Sequence, residues 1–370
     1  MRTALTLALV VQILTACGGE APGEKLELVA ESDRQWTGVA VSHGGRLFVN
    51  YPRWSDKGDL RIDVAQIVDG GLAPVATVLR PSVAELVDGK PVAYPNARWN
   101  TWAPSDDPAT RLICVQSVTV DDQGYLWILD PANPMFEGVV PGGPKLLKVD
   151  LAKDETVATF RFDAQVAPPN SYLNDLRIDT GRGVVYLSES GAGAIVVLDT
   201  KTGRSRRLLA DHPSTKAEPI DLVIGGTPWK RGGQTPQVHA DGIALSPDRE
   251  WIYYQALTGR TMYRVPTAVL RDESLSGEAI ADAVERVAES GVSDGILFDR
   301  QGYLYLSSLE EDAVNRLTPD HVRELVVQDP RLAWPDSFAL AKDGSLFVTT
   351  AQIHHGANPP EPYRLWRIRP

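Results

Sequence analysis

The chain of 370 residues contains only two cysteines, Cys17 and Cys114, so it is not built on a framework of disulfide bonds. It also lacks an excess of basic residues. Its formal net charge of −11 argues against a nucleic-acid partner, because such a partner requires a basic face to meet the phosphates. An apolar run at residues 4–14 is too short to span a bilayer.

The first residues have the pattern of an export signal. Arg2 supplies a positive start, the apolar run follows, and Leu14-Thr15-Ala16-Cys17 resembles the bacterial lipobox, in which the cysteine is lipidated. We therefore predict a lipoprotein signal peptide over residues 1–17, lipidation at Cys17 and a flexible tether over residues 18–33. The protein is then exported to the cell envelope, anchored by lipid in the outer membrane or periplasm, or secreted. An ordinary secretory signal is the alternative.

One short phrase occurs six times along the chain. Each copy has a polar residue, an alternating apolar strand, a turn and a second apolar strand, and a hairpin that recurs in this way indicates a β-propeller. We predict an all-β, six-bladed β-propeller over residues 34–370, with residues 363–368 pairing with residues 26–29 to close the ring. The polar residues that open the six phrases are Thr37, Gln116, Asn174, Asp241, Asp294 and Asp336.

Three segments depart from this rhythm. Between Ser276 and Gly291 the apolar residues fall at helical spacing, which predicts one short helix between the fourth and fifth blades. Residues 91–107, with two tryptophans, and residues 225–239, which include Trp229 and Arg231, are long insertions that we expect at a rim. Their tryptophans line a binding site or cover blade edges.

Cys114 is expected to be a buried structural thiol.

If the six polar residues begin the innermost strands, they converge on one central channel. Three aspartates there repel one another and lose hydration. Three things would each relieve this cost. A bound calcium ion could balance the charges, or an aspartate could take up a proton, with its pKa raised toward a value useful for a general base. Water in the channel, together with hydrogen bonds from backbone N–H groups, is the third. The Asp-Gly sequence at a strand start is also explained by the turn that it forms, without any functional role. His239, two residues before Asp241, is our candidate proton carrier.

Two passages resemble the major royal jelly protein / Yellow family: Asp241-Gly-Ile-Ala-Leu-Ser-Pro-Asp, with the Tyr263–Arg271 segment, and Ser293-Asp-Gly-Ile-Leu-Phe-Asp. The similarity extends from about Trp36 onward. It implies a six-bladed propeller but no single activity, because members range from dopachrome-converting proteins to non-enzymatic binders of small aromatic amines.

A more distant resemblance to gluconolactonase and regucalcin propellers implies a calcium ion on the axis. Asn174, Asp241 and Asp294 match the positions of metal ligands in those proteins. Thr37 stands where they have an acidic ligand, which removes a charge from the set, and Asp336 is its partial replacement.

Together these observations predict an exported, monomeric propeller that binds a small molecule, an aromatic amine or an oxygenated ring or lactone, at the mouth of its channel. Hydrolysis or tautomerisation of that ligand is left open, and the alternative is a non-catalytic envelope scaffold that engages a protein partner. We assign possible catalysis to Asp241, Asp294 and His239. The expected ligand contacts are Thr37, Gln116, Asn174, Asp336, Trp36 and Trp334.

Overall fold

The structure, a computed structural model, describes residues 25–54, 61–68, 71–79, 81–356 and 358–369; for residues 61–68 and 71–79 it describes the backbone only. The predicted signal peptide with Cys17, and residues 18–24 of the predicted tether, lie outside the described residues. None of the helices in the described ranges combines the length and hydrophobicity needed to cross a membrane.

The described chain is built almost entirely of antiparallel strands, and six four-stranded sheets form the blades of a propeller. In chain order the strands are β1 (Leu26–Ser32), β2 (Val39–Val41), β3 (Leu47–Asn50), β4 (Arg61–Val68), β5 (Gly71–Leu79), β6 (Val83–Val87), β7 (Lys90–Ala93), β8 (Ser117–Val120), β9 (Tyr125–Asp130), β10 (Lys145–Asp150), β11 (Glu155–Arg161), β12 (Leu173–Asp179), β13 (Val184–Glu189), β14 (Ala194–Asp199), β15 (Ser205–Leu208), β16 (Val223–Ile224), β17 (Thr227–Pro228), β18 (Ala240–Leu245), β19 (Trp251–Ala256), β20 (Thr261–Pro266), β21 (Glu285–Glu289), β22 (Ser293–Phe298), β23 (Leu304–Ser308), β24 (Ala313–Leu317), β25 (Arg323–Gln328), β26 (Pro335–Leu340), β27 (Leu346–Thr350) and β28 (Tyr363–Ile368).

Each blade runs outward from its first strand. From blade 1 to blade 6 the orders are β2-β3-β6-β7, β8 to β11, β12 to β15, β18 to β21, β22 to β25, and β26-β27-β28-β1. The hairpins β4-β5 and β16-β17 are separate two-stranded sheets. The predicted all-β, six-bladed architecture is confirmed.

The two ends of the described chain share the sixth blade. Leu26 of β1 pairs with Ile368 of β28, and Ser32 pairs with Tyr363, as the closing strand predicted from the sequence requires. The propeller therefore begins at Leu26 rather than at residue 34. The tether predicted over residues 18–33 is thus too long at its C-terminal end, because residues 26–32 are needed as a strand.

Two short helices, α1 (Thr267–Arg271) and α2 (Gly277–Asp282), lie between β20 and β21 of blade 4. The Ser276 Oγ accepts the Ala279 N–H and so caps α2. The segment predicted as one helix between blades 4 and 5 lies within blade 4 instead. It is helical only to Asp282, because its second half forms β21 and pairs with β20 at the outer edge of the sheet. Single 3-10 turns occur at Pro108–Thr110, Pro134–Phe136, Pro213–Thr215, Leu309–Glu311 and Ile353–His355.

The core lies between the blades, so the middle strands are apolar on both faces. All six residues of β13 are buried, and leucines and valines of blades 2 and 3 form one cluster between those blades. Cys114 is fully buried, as expected, and burial raises the pKa of its thiol to about 12. It is thus a structural residue in the unreactive thiol form.

Candidate functional site

The inner strands of blades 3 to 6 are irregular at one shared place. In β12, β18, β22 and β26 the pairing with the next strand shifts register around two residues near the strand start. Such a bulge turns side chains away from the regular alternation of the sheet. The residues at these four bulges are Asn174-Asp175, Asp241-Gly242, Asp294-Gly295 and Asp336-Ser337.

The glycine after each of two aspartates is required by close packing between blades. A Cβ atom on Gly242 would lie 2.5 Å from the backbone oxygen of Asp294, and one on Gly295 would lie 2.2 Å from the backbone oxygen of Asp336. Both distances are shorter than any real contact, and the neighbouring atom is backbone. The Asp-Gly pairs therefore bring the inner strands of adjacent blades together, which also brings their aspartates together.

The polar side chains around the channel form one hydrogen-bonded chain that starts in the loops of blades 1 and 2. Trp54 Nε1–H donates to the Tyr172 hydroxyl (2.6 Å), which donates to Gln116 Oε1 (2.9 Å). Gln116 Nε2 donates to Asn174 Oδ1 (2.9 Å). Asn174 Nδ2 then donates to Asp241 Oδ2 at 2.6 Å. Each donor along this chain therefore points toward Asp241.

The chain ends in a pair of buried carboxyl groups. Asp241 is hydrogen-bonded to Asp294, and Asp294 Oδ2 also accepts the Nε1–H of Trp334 at 2.7 Å. Burial, and then the charge of Asp294, raise the pKa of Asp241 well above its usual range. Burial raises the pKa of Asp294 only to about 6, because Trp334 donates a hydrogen bond to it. The two groups are buried together, so the pair resists a second negative charge, and the pKa of Asp241 is raised the more strongly of the two.

Asp336 belongs to the same electrostatic group but not to the same hydrogen-bonded chain. Burial, and then the charge of Asp294, raise the pKa of Asp336 well above its usual range, and its Oδ1 accepts the hydroxyl of Ser337. Repulsion from Asp175 adds to the shift at all three aspartates. These acidic groups therefore lie close enough together that each opposes the ionisation of the others.

A cavity of about 220 Å³ opens above these carboxyl groups. Aromatic rings form much of its wall. Phe136, which is 49% exposed, lies 5.0 Å from the ring of Tyr172 and 5.6 Å from that of Trp54. Trp229 meets Trp334 edge to face at 4.8 Å. A flat ring fits such walls, and the charge of Asp294 at the inner end favours a cation or a hydrogen-bond donor.

The structure brings together five of the residues that the sequence singled out for catalysis or ligand contact, and it places the others elsewhere. The five that line the cavity are Gln116, Asn174, Asp241, Asp294 and Trp334. Trp229, from the predicted rim insertion, joins them. Trp99, from the other insertion, packs instead against the core cluster between blades 1 and 2.

Thr37 and Trp36 have structural surroundings. Thr37 is fully buried, and its hydroxyl donates to the backbone oxygen of Gln116 (2.9 Å) while accepting from Asn50 Nδ2 (2.8 Å). Thr37 thus connects blade 1 to blade 2. Trp36 is fully buried in the core, 6.3 Å from the ring of Tyr51.

His239 does not line the cavity above the carboxyl pair. Its Nδ1 accepts the backbone N–H of Ala217 at 2.9 Å, and its own backbone N–H donates to Ser190. Burial, and then the charge of Lys216, lower the pKa of His239. A neutral ring whose nitrogen already accepts a backbone hydrogen bond is suited to positioning a loop rather than to carrying protons.

The ring does not have the arrangement that calcium requires. Asn174 Oδ1 accepts from Gln116, its Nδ2 faces Asp241, and the carboxyl groups of Asp241 and Asp294 are hydrogen-bonded to each other. Six to eight oxygens would have to face one ion instead. Among the described residues there is also no group of three or more His, Cys, Asp or Glu side chains placed to hold a metal. The set predicted as metal ligands is thus a hydrogen-bonded pair of acids with an amide.

Several cavity residues could not be identified from the sequence. Trp54, Phe136 and Tyr172 lie in connections between strands, where no periodicity indicates which way a side chain points.

The Gly291–Gly295 segment has the spacing of a nucleophile elbow, but Ser293 is fully buried at the start of β22 and its Oγ has no hydrogen-bond partner among the described residues. It is therefore not an activated nucleophile.

The family model described as "Major royal jelly protein" matches residues 113–356. The chain is 24% identical over 294 residues to Protein yellow of Drosophila subobscura, an alignment that covers 75% of this chain and 47% of that protein. Protein yellow of Drosophila melanogaster is also 24% identical over 294 residues, with 75% and 50% covered. This chain thus spans about half the length of these relatives.

Solved propellers share the fold at low identity. A luciferin-regenerating enzyme superimposes with a TM-score of 0.52 and 12% identity, covering 93% of this chain and 95% of that one. A gluconolactonase from Xanthomonas campestris gives a TM-score of 0.51 and 14% identity, covering 93% and 89%. At these identities the similarity shows the fold and leaves the chemistry of the cavity to its own residues.

Proposed function

Because the chain belongs to the major royal jelly protein family, we propose that it is an exported six-bladed propeller that binds a small aromatic amine in the cavity above Asp241 and Asp294. The amine donates to the Asp294 carboxylate, and the ring packs against the tryptophans and Tyr172. Export as a monomer, with lipid on Cys17, is part of this proposal. The observation that carries it is the group of buried carboxyl groups at the inner end of an aromatic cavity.

The size and polarity of the cavity support a ligand with one ring. About 220 Å³ is less than the ~300 Å³ at which cavities for drug-sized ligands begin, so one ring with a short side chain fills it. A cation relieves repulsion among the three buried aspartates, whereas an anion adds to it. The ligand therefore replaces the counter-charge that this cluster lacks.

Calorimetric titration with tyramine and with 3-(4-hydroxyphenyl)propionate tests this proposal, because the two probes share a ring and differ in the charge of the side chain. Tyramine should bind more tightly than the acid. Asp294→Asn should weaken tyramine binding about tenfold or more, since a hydrogen bond to a charged group is lost. Asp343→Asn, on an exposed turn, removes the same charge far from the cavity and serves as the control.

Other results would lead to the alternatives. Binding of glucono-δ-lactone in place of tyramine would favour an oxygenated ring that accepts the proton of Asp241. If no probe of any charge binds, the small-molecule proposal fails, and a scaffold that meets a protein partner through its loops becomes the better account.

The unequal pKa values of the two hydrogen-bonded acids favour tautomerisation as a second candidate function. The Asp294 carboxylate can remove a proton from a carbon of the ligand while Asp241 gives its proton to an oxygen, and the hydrogen bond between the two acids returns the proton for the next turnover. No other reactant is needed. Loss of dopachrome absorbance, faster with the protein and abolished by Asp294→Asn, is the expected result; an unchanged rate would leave a binding protein.

A further inference from the structure

The mouth of the cavity carries a cation that the aromatic-amine proposal does not use. Arg231 lines the same cavity as Asp241 and Asp294, and its guanidinium lies 5.8 Å from the centre of the Trp229 ring. It is exposed, whereas the two aspartates are buried. The cavity thus has a positive group at its outer end and a negative one at its inner end.

The backbone holds Arg231 in place. Its N–H donates to the Gln234 oxygen (2.9 Å), and the Gln234 N–H donates back (3.2 Å), so the two residues form a bridge around a tight turn. Gly232 and Gly233, with φ of +59° and +83°, form the turn, which only residues tolerant of positive φ can do at both positions. Trp229, just before the turn, is buried in the core, so the turn is fixed to the wall of the cavity.

Arg231 lacks a carboxylate partner within ion-pair distance among the described residues, in contrast to its neighbours. Lys230 pairs with Asp221, and Arg260 pairs with Glu310 at 2.7 Å. A cation placed at a cavity mouth with no acidic partner has its fork of N–H donors available to an incoming carboxylate. A ligand carboxylate that pairs with the guanidinium compensates for the cost of removing this charge from water, and no existing ion pair has to be broken.

We propose that Arg231 selects ligands that carry a carboxylate, so that the natural ligand is an aromatic α-amino acid or a close derivative rather than the decarboxylated amine. This inference rests on the proposed function. The amine meets Asp294 at the inner end, the ring packs against the aromatic wall, and the carboxylate meets the guanidinium of Arg231 at the mouth.

Titrations of the full exported chain with L-tyrosine and with tyramine test the inference, because these probes differ only in the carboxylate. Wild-type protein should bind tyrosine about tenfold more tightly than tyramine, as a charge-assisted hydrogen bond provides. In Arg231→Gln the ratio of the two dissociation constants should fall to about one. Arg231→Lys keeps the charge without the planar fork and should give an intermediate ratio.

Arg204→Gln is the matched control. Arg204 pairs with Glu273 on the outside of blades 3 and 4, so its removal changes the net charge equally and should leave the ratio as in wild type. Equal wild-type affinity for tyrosine and tyramine, or a preference that persists in Arg231→Gln, would overturn the inference while the amine-binding proposal stands. If neither probe binds, both proposals fail.

Discussion

Asp241 and Asp294 occupy equivalent bulges in neighbouring blades, yet their surroundings raise their pKa values to different extents. Asp294 accepts from both the indole of Trp334 and the Asp241 carboxyl, which stabilise its charge. Asp241 has Asn174 as its side-chain donor and faces the charge of Asp294. Burial of both groups disfavours a second charge, so the pair shares one proton. Strongly shifted acids in a cavity are typical of functional sites.

The raised pKa of Asp294 predicts a particular pH dependence of stability. The folded protein keeps a proton that the unfolded chain has released between pH 3.8 and about 6, so the free energy of unfolding falls as the pH rises through this range. Asp294→Asn removes this titration. The variant should match wild type in acid and exceed it by about 2–3 kcal/mol at neutral pH in urea denaturation.

Other groups alter the wild-type curve, so the difference between the two proteins is the quantity to measure. Burial lowers the pKa of His354 to about 4, which favours the neutral ring and therefore reduces stability as the pH falls. Asp343→Asn is the control. A backbone hydrogen bond from Ser345 lowers the pKa of the Asp343 carboxyl, so this substitution should change the stability with pH in the opposite direction. A stability difference for Asp294→Asn that does not change with pH would contradict the raised pKa of Asp294.

The glycine that follows Asp294 gives a second prediction. In Gly295→Ala the new methyl group would overlap the backbone oxygen of Asp336, so the inner strands of blades 5 and 6 must separate. The free energy of unfolding should fall by about 3 kcal/mol in urea denaturation. Gly277→Ala at the start of α2 is the matched control, because nothing lies within 4 Å of its new methyl. An equally small effect at both positions would mean that the blades do not approach as closely as described.

At the scale of single residues, the sequence predicts which residues of the inner strands meet at the channel. It does not predict the cavity residues that lie in loops. The repeat places Asn174, Asp241 and Asp294 at equivalent strand starts, and their meeting follows from the propeller symmetry. Thr37 opens the first repeat in the same way but has its hydroxyl bonded to the neighbouring backbone. The neighbouring blade decides which residue of a repeat faces the cavity. The residues of the repeat alone do not contain this information.

Among the elements, β1 and β21 show how far local pattern predicts tertiary pairing. The sequence predicts that residues 26–29 pair with residues 363–368, and the strand extends this pairing to Ser32. Residues 285–289 continue a helical spacing, yet they pair with β20 as an edge strand. In that case the hydrogen bonds of another strand decide the structure, which a window of local residues cannot predict.

The role of β1 can be measured by truncation. A chain that begins at Lys25 keeps the strand, and a chain that begins at Asp33 exposes the edge of β28 and removes Leu26 and Ala30 from the core. The shorter chain should melt at least about 5 °C lower, because both burial and a full ladder are lost. Thermal unfolding followed by circular dichroism compares the two. Equal melting temperatures would show that the ring closes without β1.

At the scale of the whole molecule, hydrogen bonds between side chains along the central channel join blades 2 to 5. The donors from Gln116, Asn174 and Trp334 already occupy the oxygens that calcium would need. The choice between a metal site and a hydrogen-bonded chain could not be deduced from the repeat, since the same residue types serve either arrangement.

Calcium should accordingly leave the stability unchanged. Saturation of a site at one hundred times its dissociation constant adds about 2.7 kcal/mol, which a melting curve would show clearly. We expect equal melting temperatures in millimolar calcium and in chelator for the chain that begins at Lys25. A rise with calcium that is lost in Asp294→Asn would contradict the hydrogen-bonded arrangement of the carboxyl pair.

The most direct test of the binding site is a crystal structure of the protein with tyramine. The account predicts that the ring packs against Trp334 and Tyr172 and that the ammonium nitrogen lies about 3 Å from a carboxylate oxygen of Asp294. Tyramine bound outside this cavity, or bound with its ammonium group pointing toward Arg231, would contradict it.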